Sequence, residues 1–512
     1  MKFSKIQSAQ NHLLKARVVS VETDISRGLH SFSIVGLPDK AVEEARDRVS
    51  AAIKNSGFKS PKQTNAKIVV SLAPSDIRKE GSLFDVPIAL GYLLAAGEIA
   101  FDPTGKLFVG ELALDGTIRP VTGVLSYARM AAERGFTEAY VPKANAEEAA
   151  LIEDICVFGA DSLAEIIGHV SGDRKLVPAQ TDRAAFVGAD PNEAILDDIS
   201  GHETAKRGLV VAAAGRHNIG LFGPPGTGKT MLARAMPSIM PPLSFDEMLE
   251  ATEIHSIAGT LEGGLISRPP VRAPHHSASH TAIIGGGAVP KPGEITLAHR
   301  GVLFMDEFPE FDRRVIEALR QPLEDRNISL ARSKNSVRFP ADFILVAALN
   351  PCPCGNRYIE GKECSCSPAV IRNYEKKISG PIIDRIDMWI EVSKIEHRLL
   401  MNEREGSSET VEARKAVGRA RDIQRLRCIE KGIAPVTNSS LSSRDLPRVA
   451  ELSKEATAIL DKAAETYGMS GRGYHRTVKL ARTIADLAAS KTIEAPHILE
   501  ALQYRQRYFQ RG

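Results

Sequence analysis

The 512-residue sequence has no apolar run of about 18 residues or more, which excludes a helix able to cross a bilayer and leaves no membrane partner to expect. Its opening segment, Met1-Lys2-Phe3-Ser4-Lys5-Ile6-Gln7, lacks the apolar stretch of a secretory leader. Cysteine is scarce, with 6 residues, too few for the disulfide frame of a secreted protein, and four of them fall close together. These absences point to a reducing, cytoplasmic setting. Excess charge is missing too. The formal net charge is only +3, so any hold on nucleic acid must come from a local basic patch. What is present is the composition of an ordinary soluble protein, 43% hydrophobic and 25% charged. A chain this long exceeds one hydrophobic core, and about three domains are expected.

Residues 1–170 alternate short β-type runs, such as Arg17–Val21 and Lys67–Leu72, with helical patterns over Ala41–Ser56 and Leu125–Arg134. From 171 to 197 the chain turns polar and carries Pro178 and Pro191, as a linker does. Residues 198–395 hold the nucleotide-binding signals. Residues 396–512 are helical and charged, which suits a C-terminal lid.

Asn218–Phe222 is a short apolar strand followed by Gly223-Pro224-Pro225-Gly226-Thr227-Gly228-Lys229-Thr230 and a helical run over Met231–Met236. This is G-x-x-x-x-G-K-[ST] in its strand–loop–helix setting. The glycines let backbone N–H groups approach phosphates, and the helix N-terminus adds partial positive charge. Lys229 is expected to reach the β- and γ-phosphates of ATP, and the Thr230 hydroxyl to ligate Mg²⁺. Further along, Gly301–Met305 is a buried apolar strand ending in Asp306-Glu307. Asp306 is placed to hold Mg²⁺ and Glu307 to polarise the attacking water as general base. A third strand, Phe343–Leu349, ends at Asn350, whose amide suits orienting that water.

Phosphate loop, acid-tipped strand, Asn-tipped strand and helical tail together resemble an AAA+ ATPase of α/β fold. Arg272-Ala273-Pro274-His275-His276-Ser277-Ala278-Ser279 and Asn350-Pro351-Cys352-Pro353-Cys354-Gly355 are similar to the magnesium-chelatase-like group, and within it to the ComM/YifB branch. The likeness covers nearly the whole chain. It implies that Ser379–Asp387 presents Arg385 as an arginine finger to a neighbour's ATP, which requires a homo-oligomer, by resemblance a hexameric ring; such a finger contributes roughly 10³–10⁵ in rate. Read without the resemblance, Arg385 is a surface residue paired with Asp384 or Asp387. Ser470-Gly471-Arg472, opening a helix over Gly473–Ala489, resembles the lid arginine that contacts the γ-phosphate, with Arg476 one turn on as the alternative.

Ile328–Phe339 alternates and turns at Lys334-Asn335, which predicts a hairpin. In the ring motors it resembles, replicative helicases of the MCM type among them, such a hairpin points into the pore. Arg332, Lys334 and Arg338 would there touch DNA phosphates, single-stranded or branched, without reading sequence. A solvated hairpin with its lysine on the turn is the plain alternative. His255–Ala288, with Arg268, Arg272, His275, His276 and His280, matches the position of the helix-2 insert of the group, a second pore element. Its adjacent histidines lack Cys or acidic partners at metal-ligand spacing.

The N-terminal domain resembles a Lon-protease-like, ribosomal S5 domain 2-like α+β fold, through Gly110–Gly116, Arg119–Gly123 and Val141–Asn145. Such proteases use a Ser–Lys dyad. Here the serine position falls on Leu83, with Ser82 one residue early, and the lysine region over Val124–Tyr127 holds no lysine. The domain therefore reads as a non-catalytic scaffold. Cys352-x-Cys354 and Cys364-x-Cys366 present four thiols that would enclose a tetrahedral Zn²⁺ or, alternatively, pack as reduced cysteines in a loop. The expected function is an ATP-driven DNA helicase or translocase, by resemblance one promoting branch migration in recombination or natural transformation. The alternatives are a magnesium-chelatase-type motor subunit and a protein-remodelling ATPase.

Overall fold

The computed structural model describes residues 3–12, 15–76, 78–181, 195–261, 265–287, 290–331, 336–357, 362–394, 408–434 and 436–505. Contacts divide the chain into two compact units, Met1–Val187 with Met248–Ile266, and Gly188–Glu247 with Ser267–Gly512. No helix among the described residues is long and apolar enough to cross a membrane.

The first unit is built on a mixed sheet of β1 (Phe3–His12), β2 (Lys15–Arg27), β3 (Ser31–Val35), β4 (Ala66–Ala73), β5 (Lys106–Phe108), β8 (Glu138–Pro142) and β9 (Cys156–Ala160), in the order β3-β4-β2-β1-β5-β8-β9. A small hairpin of β6 (Glu111–Leu112) and β7 (Ile118–Arg119) stands beside it. Alternation in β2 turns Val19 and Val21 inward, as a half-buried strand requires. The helix Lys40–Asn55 is capped by the Asp39 carboxylate, which accepts from the Val42 N–H at 2.8 Å. Its apolar face, Val42, Ala45, Val49, Ala52 and Ile53, is buried in the core of this unit. The polar stretch expected as a linker stays partly bonded here, since Ala179 N–H donates to Val157 at 2.8 Å. Residues 182–194, with Pro191, lie outside the described residues.

The second unit holds a parallel sheet of β10 (Ile219–Phe222), β11 (Val271–Arg272), β14 (Val302–Met305), β17 (Ile344–Leu349) and β18 (Met388–Glu391), ordered β11-β14-β17-β10-β18. Every residue of β14 and β17 is buried, because helices cover both faces and no strand position is left for water. The helices Glu203–Gly215, Glu409–Glu430, Gly471–Leu487 and Ala495–Gln503 share one apolar core with this sheet. Two hairpins leave it, β12 (Gly285–Gly286) with β13 (Lys291–Pro292), and β15 (Asn327–Ala331) with β16 (Ser336–Pro340).

The reading of His255–Ala288 as one insert is corrected. Its first part belongs with the N-terminal unit, where the Ser256 hydroxyl accepts from the Gly123 N–H at 2.9 Å and donates to Glu148 at 3.1 Å. Its middle, Val271–Arg272, is an edge strand of the ATPase sheet. The element that interrupts a helix pair is instead the β12–β13 hairpin, between the helices His280–Ile284 and Glu294–Leu297.

Candidate nucleotide site

The phosphate loop runs from the carboxyl end of β10 into the helix Lys229–Ala235. Gly226 and Gly228 lie at φ +74° and +87°, a region costly for any side chain, and this lets the loop turn tightly into the helix. Lys229 donates to the Gly223 and Pro224 carbonyls at 2.7 Å each and to Asn350 Oδ1 at 3.2 Å. Burial lowers its pKa, against the pull of Asp306. The Thr230 hydroxyl donates to Asp306 Oδ2 at 2.9 Å, so an oxygen from the helix after β10 and one from the tip of β14 converge where a hard cation needs them. That donor set and a glycine-rich loop leading into a helix fit Mg²⁺ with a nucleoside triphosphate.

Asp306 and Glu307 leave the tip of β14, and Asn350 leaves the tip of its neighbour β17. Glu307 sits at φ +50°, left-handed for a non-glycine residue, while Asp306 Oδ1 accepts its N–H at 2.9 Å. The Glu307 carboxylate lies 3.3 Å from His276 Nδ1. Sequence spacing offered His276 no acidic partner; the fold supplies one. His202 was also missed. It takes φ +58° before the helix Glu203–Gly215, and its ring hydrogen-bonds the backbone of Thr227 in the loop.

Arg385 and Arg472 meet at the other end of the sheet. Both guanidinium groups pair with Glu324, Arg472 at 3.0 Å. Partial burial opposes ionisation of Glu324, but Arg385, Arg472 and Arg476 outweigh it and hold the carboxyl below its usual range. Arg476 stands 3.7 Å from Asp387, which accepts the Asn218 N–H at 3.0 Å just before β10 begins. Asn218 and Gly223 flank β10, so these arginines and the phosphate loop are separated by a strand of roughly 16 Å at 3.3 Å per residue. Arg472 and Arg476 are thus grouped with Arg385, away from the loop of their own chain. The cleft there, about 270 Å³, is lined by Arg326, Arg385, Arg472, His475, Arg476 and Lys479 among others. Burial pushes the Lys479 ammonium down to about 8, with Asp387 opposing and Arg476 and Arg326 reinforcing.

The predicted hairpin is present as β15 and β16, with Ile328 opposite Phe339. Arg338 is exposed on β16, whereas Arg332 and Lys334 lie outside the described residues. The four clustered cysteines come together, their sulfurs all within 4.8 Å of one another. In the first unit Val124–Tyr127, the region expected to hold the dyad lysine, is buried, and the Ser82 hydroxyl donates to Glu111.

Three family profiles match the chain: "Magnesium chelatase, subunit ChlI" over residues 195–400, "Subunit ChlI of Mg-chelatase" over 21–145, and "Magnesium chelatase, subunit ChlI C-terminal" over 405–505. The competence protein ComM of Haemophilus influenzae is 41% identical over 99% of this chain and 98% of its own length. YifB of Salmonella typhimurium is 40% identical over 96% of this chain and 95% of its own. A magnesium-chelatase 67 kDa subunit of Heliobacterium mobile is 26% identical over 43% of this chain and 37% of its own. Full-length similarity at this level, on a mixed α/β fold that carries the nucleotide motifs, settles the family. The chain belongs to the ComM/YifB family of magnesium-chelatase-like AAA+ ATPases.

Proposed function

We propose that the chain is an ATP-hydrolysing motor that works as a homo-oligomeric ring, by resemblance a hexamer, and moves DNA through its pore as a helicase promoting branch migration. The observation that carries the motor reading is the separation of Arg385 and Arg472 from the phosphate loop of their own chain by the length of β10. Arginines so placed have a use in ATP hydrolysis only at a neighbour's site. Lys229 then swings from the loop carbonyls to the β- and γ-phosphates, and Thr230 and Asp306 hold Mg²⁺. The bound Mg²⁺ supplies charge neutralisation on the phosphate oxygens. Glu307 takes the proton of the attacking water, Asn350 orients that water, and the neighbour's Arg385 and Arg472 stabilise the charge that develops on the γ-phosphoryl group.

DNA as the substrate is supported by the exposed Arg338 on the β15–β16 hairpin, by Arg332 and Lys334 in the sequence that joins its strands, and by similarity to a protein named for competence. The N-terminal unit, Lon-protease-like but with Leu83 at the serine position and no lysine over Val124–Tyr127, serves in this reading as a non-catalytic scaffold, and Gly471–Leu487 as part of the C-terminal lid. The chelatase profiles favour one second reading, a motor that remodels a protein partner for metal insertion. ATP turnover measured with single-stranded, duplex and four-way-junction DNA separates them. Stimulation by DNA is expected, and Lys334→Ala with Arg338→Ala should each lower the slope of log affinity against log salt by about 1. Turnover that ignores every DNA and responds to a chelatase partner would move the assignment to the second reading.

A further inference from the structure

The strand β17 ends at Leu349, and the chain leaves it through Asn350. It runs directly through Pro351 into Cys352, which is buried, so the cysteine loop grows out of the nucleotide site. Cys352 Sγ lies 3.4 Å from Cys354 Sγ and 3.7 Å from Cys364 Sγ, and Cys354 and Cys364 are 3.6 Å apart. Cys366 completes a group of four within 4.8 Å. A disulfide needs about 2.05 Å between sulfurs, so none of these is bonded to another. Four thiolates at 2.3 Å from one tetrahedral ion are about 3.8 Å apart, which is the spacing seen. Backbone N–H groups of Arg357 and Asn356 are directed at the sulfurs of Cys352 and Cys354, as in the knuckles that hold metal thiolates.

The loop also touches the nucleotide site from two sides. Gly355, at φ +74°, packs so closely on Pro225 of the phosphate loop that a Cβ there would lie 2.7 Å from Pro225 Cδ. Beyond Cys366, the helix Pro368–Glu375 returns to the site: its Tyr374 hydroxyl bonds the backbone of Asn350, and its Glu375 pairs with Arg357 at 2.9 Å. The described segments on either side of the cysteine pairs, Asn350–Arg357 and Pro368–Glu375, are therefore held to each other at two points.

We propose that Cys352, Cys354, Cys364 and Cys366 hold one zinc ion, and that this ion is a strut that sets Pro225 and Asn350 against the phosphates of the nucleotide. A closed set of four thiolates selects a tetrahedral metal with no open position, which is structural zinc. The zinc half stands on the sulfur geometry alone; the strut half rests on the nucleotide site described above.

The test uses the full chain purified without chelator. Metal content by mass spectrometry should give one zinc per chain. The double variant Cys364→Ser, Cys366→Ser should lose it and bind a fluorescent ATP analogue about tenfold more weakly, the scale of losing an outer support of a site. Gly355→Ala leaves all four thiols in place and carries the test where the double variant does not fold: zinc should remain while analogue affinity falls. Wild-type chain with iron in place of zinc, or without stoichiometric metal, overturns the site. Zinc present but affinity within about twofold of wild type in Gly355→Ala overturns the strut. A wild-type chain that holds zinc and binds no ATP analogue would count against the nucleotide site and leave the zinc assignment standing.

Discussion

Glu307 combines three constraints that rarely coincide in a structural residue: a left-handed backbone, an N–H accepted by the preceding Asp306, and a carboxylate half-exposed beside His276. Backbone strain held in place by its surroundings is a mark of function. Glu307→Gln keeps the shape and removes the basicity. Hydrolysis should fall by about 10²–10⁴-fold with ATP affinity unchanged, measured by phosphate release and by analogue titration. A loss below about tenfold would mean that another group takes the proton. The loop, Asp306, Glu307 and Asn350 were legible in the sequence because each is set by a strand that runs straight into it. His276 was not, since 31 positions separate it from Glu307 and only the order of β11 beside β14 brings it near. Glu324 escaped notice for the same reason: its partners come from two distant segments.

Among the elements, the long apolar strands were readable to within a residue or so. Asn218–Phe222, Gly301–Met305 and Phe343–Leu349 became β10, β14 and β17 because a buried parallel strand must be apolar throughout. The two-residue β11 has no period to read, so the sequence around it does not reveal that a strand divides it. Nothing in the composition of Met248–Ile266 signals that it packs with the N-terminal unit. The start of β18 is secured by Asp387, which accepts from Asn218 before β10 and lies 3.6 Å from His217 Nδ1. Burial would raise the pKa of Asp387, but His217, Arg476 and the Asn218 N–H outweigh it and hold the carboxyl at about 2. Because this lies below the unfolded value of about 3.9, the contribution to stability is complete above pH 4 and drains away as pH falls through about 2. Asp387→Asn should therefore cost on the order of 2 kcal/mol at pH 7 and progressively less below pH 4, by urea unfolding at a series of pH values. A deficit that stays constant down to pH 2 would place the effect elsewhere than in this charge.

At the scale of the whole molecule, a site with its arginines at one end of the sheet and its phosphate loop at the other is half a site twice over. The consequence is complementation. Lys229→Ala and Arg385→Ala proteins should each be nearly inactive, yet an equal mixture should recover about a quarter of wild-type turnover, since one interface in four pairs an intact loop with an intact finger. No recovery on mixing would mean that Arg385 serves its own chain. Within one chain the two guanidinium groups are not idle, however: Glu324 sits between them. In the proposed ring, docking onto a neighbour's γ-phosphate would evict this carboxylate, so that assembly would exchange one anion for another. What such an exchange provides is discrimination. In the proposed ring Glu324 would then serve as an internal benchmark, a resident anion that a neighbour's γ-phosphate has to displace before the two arginines engage it.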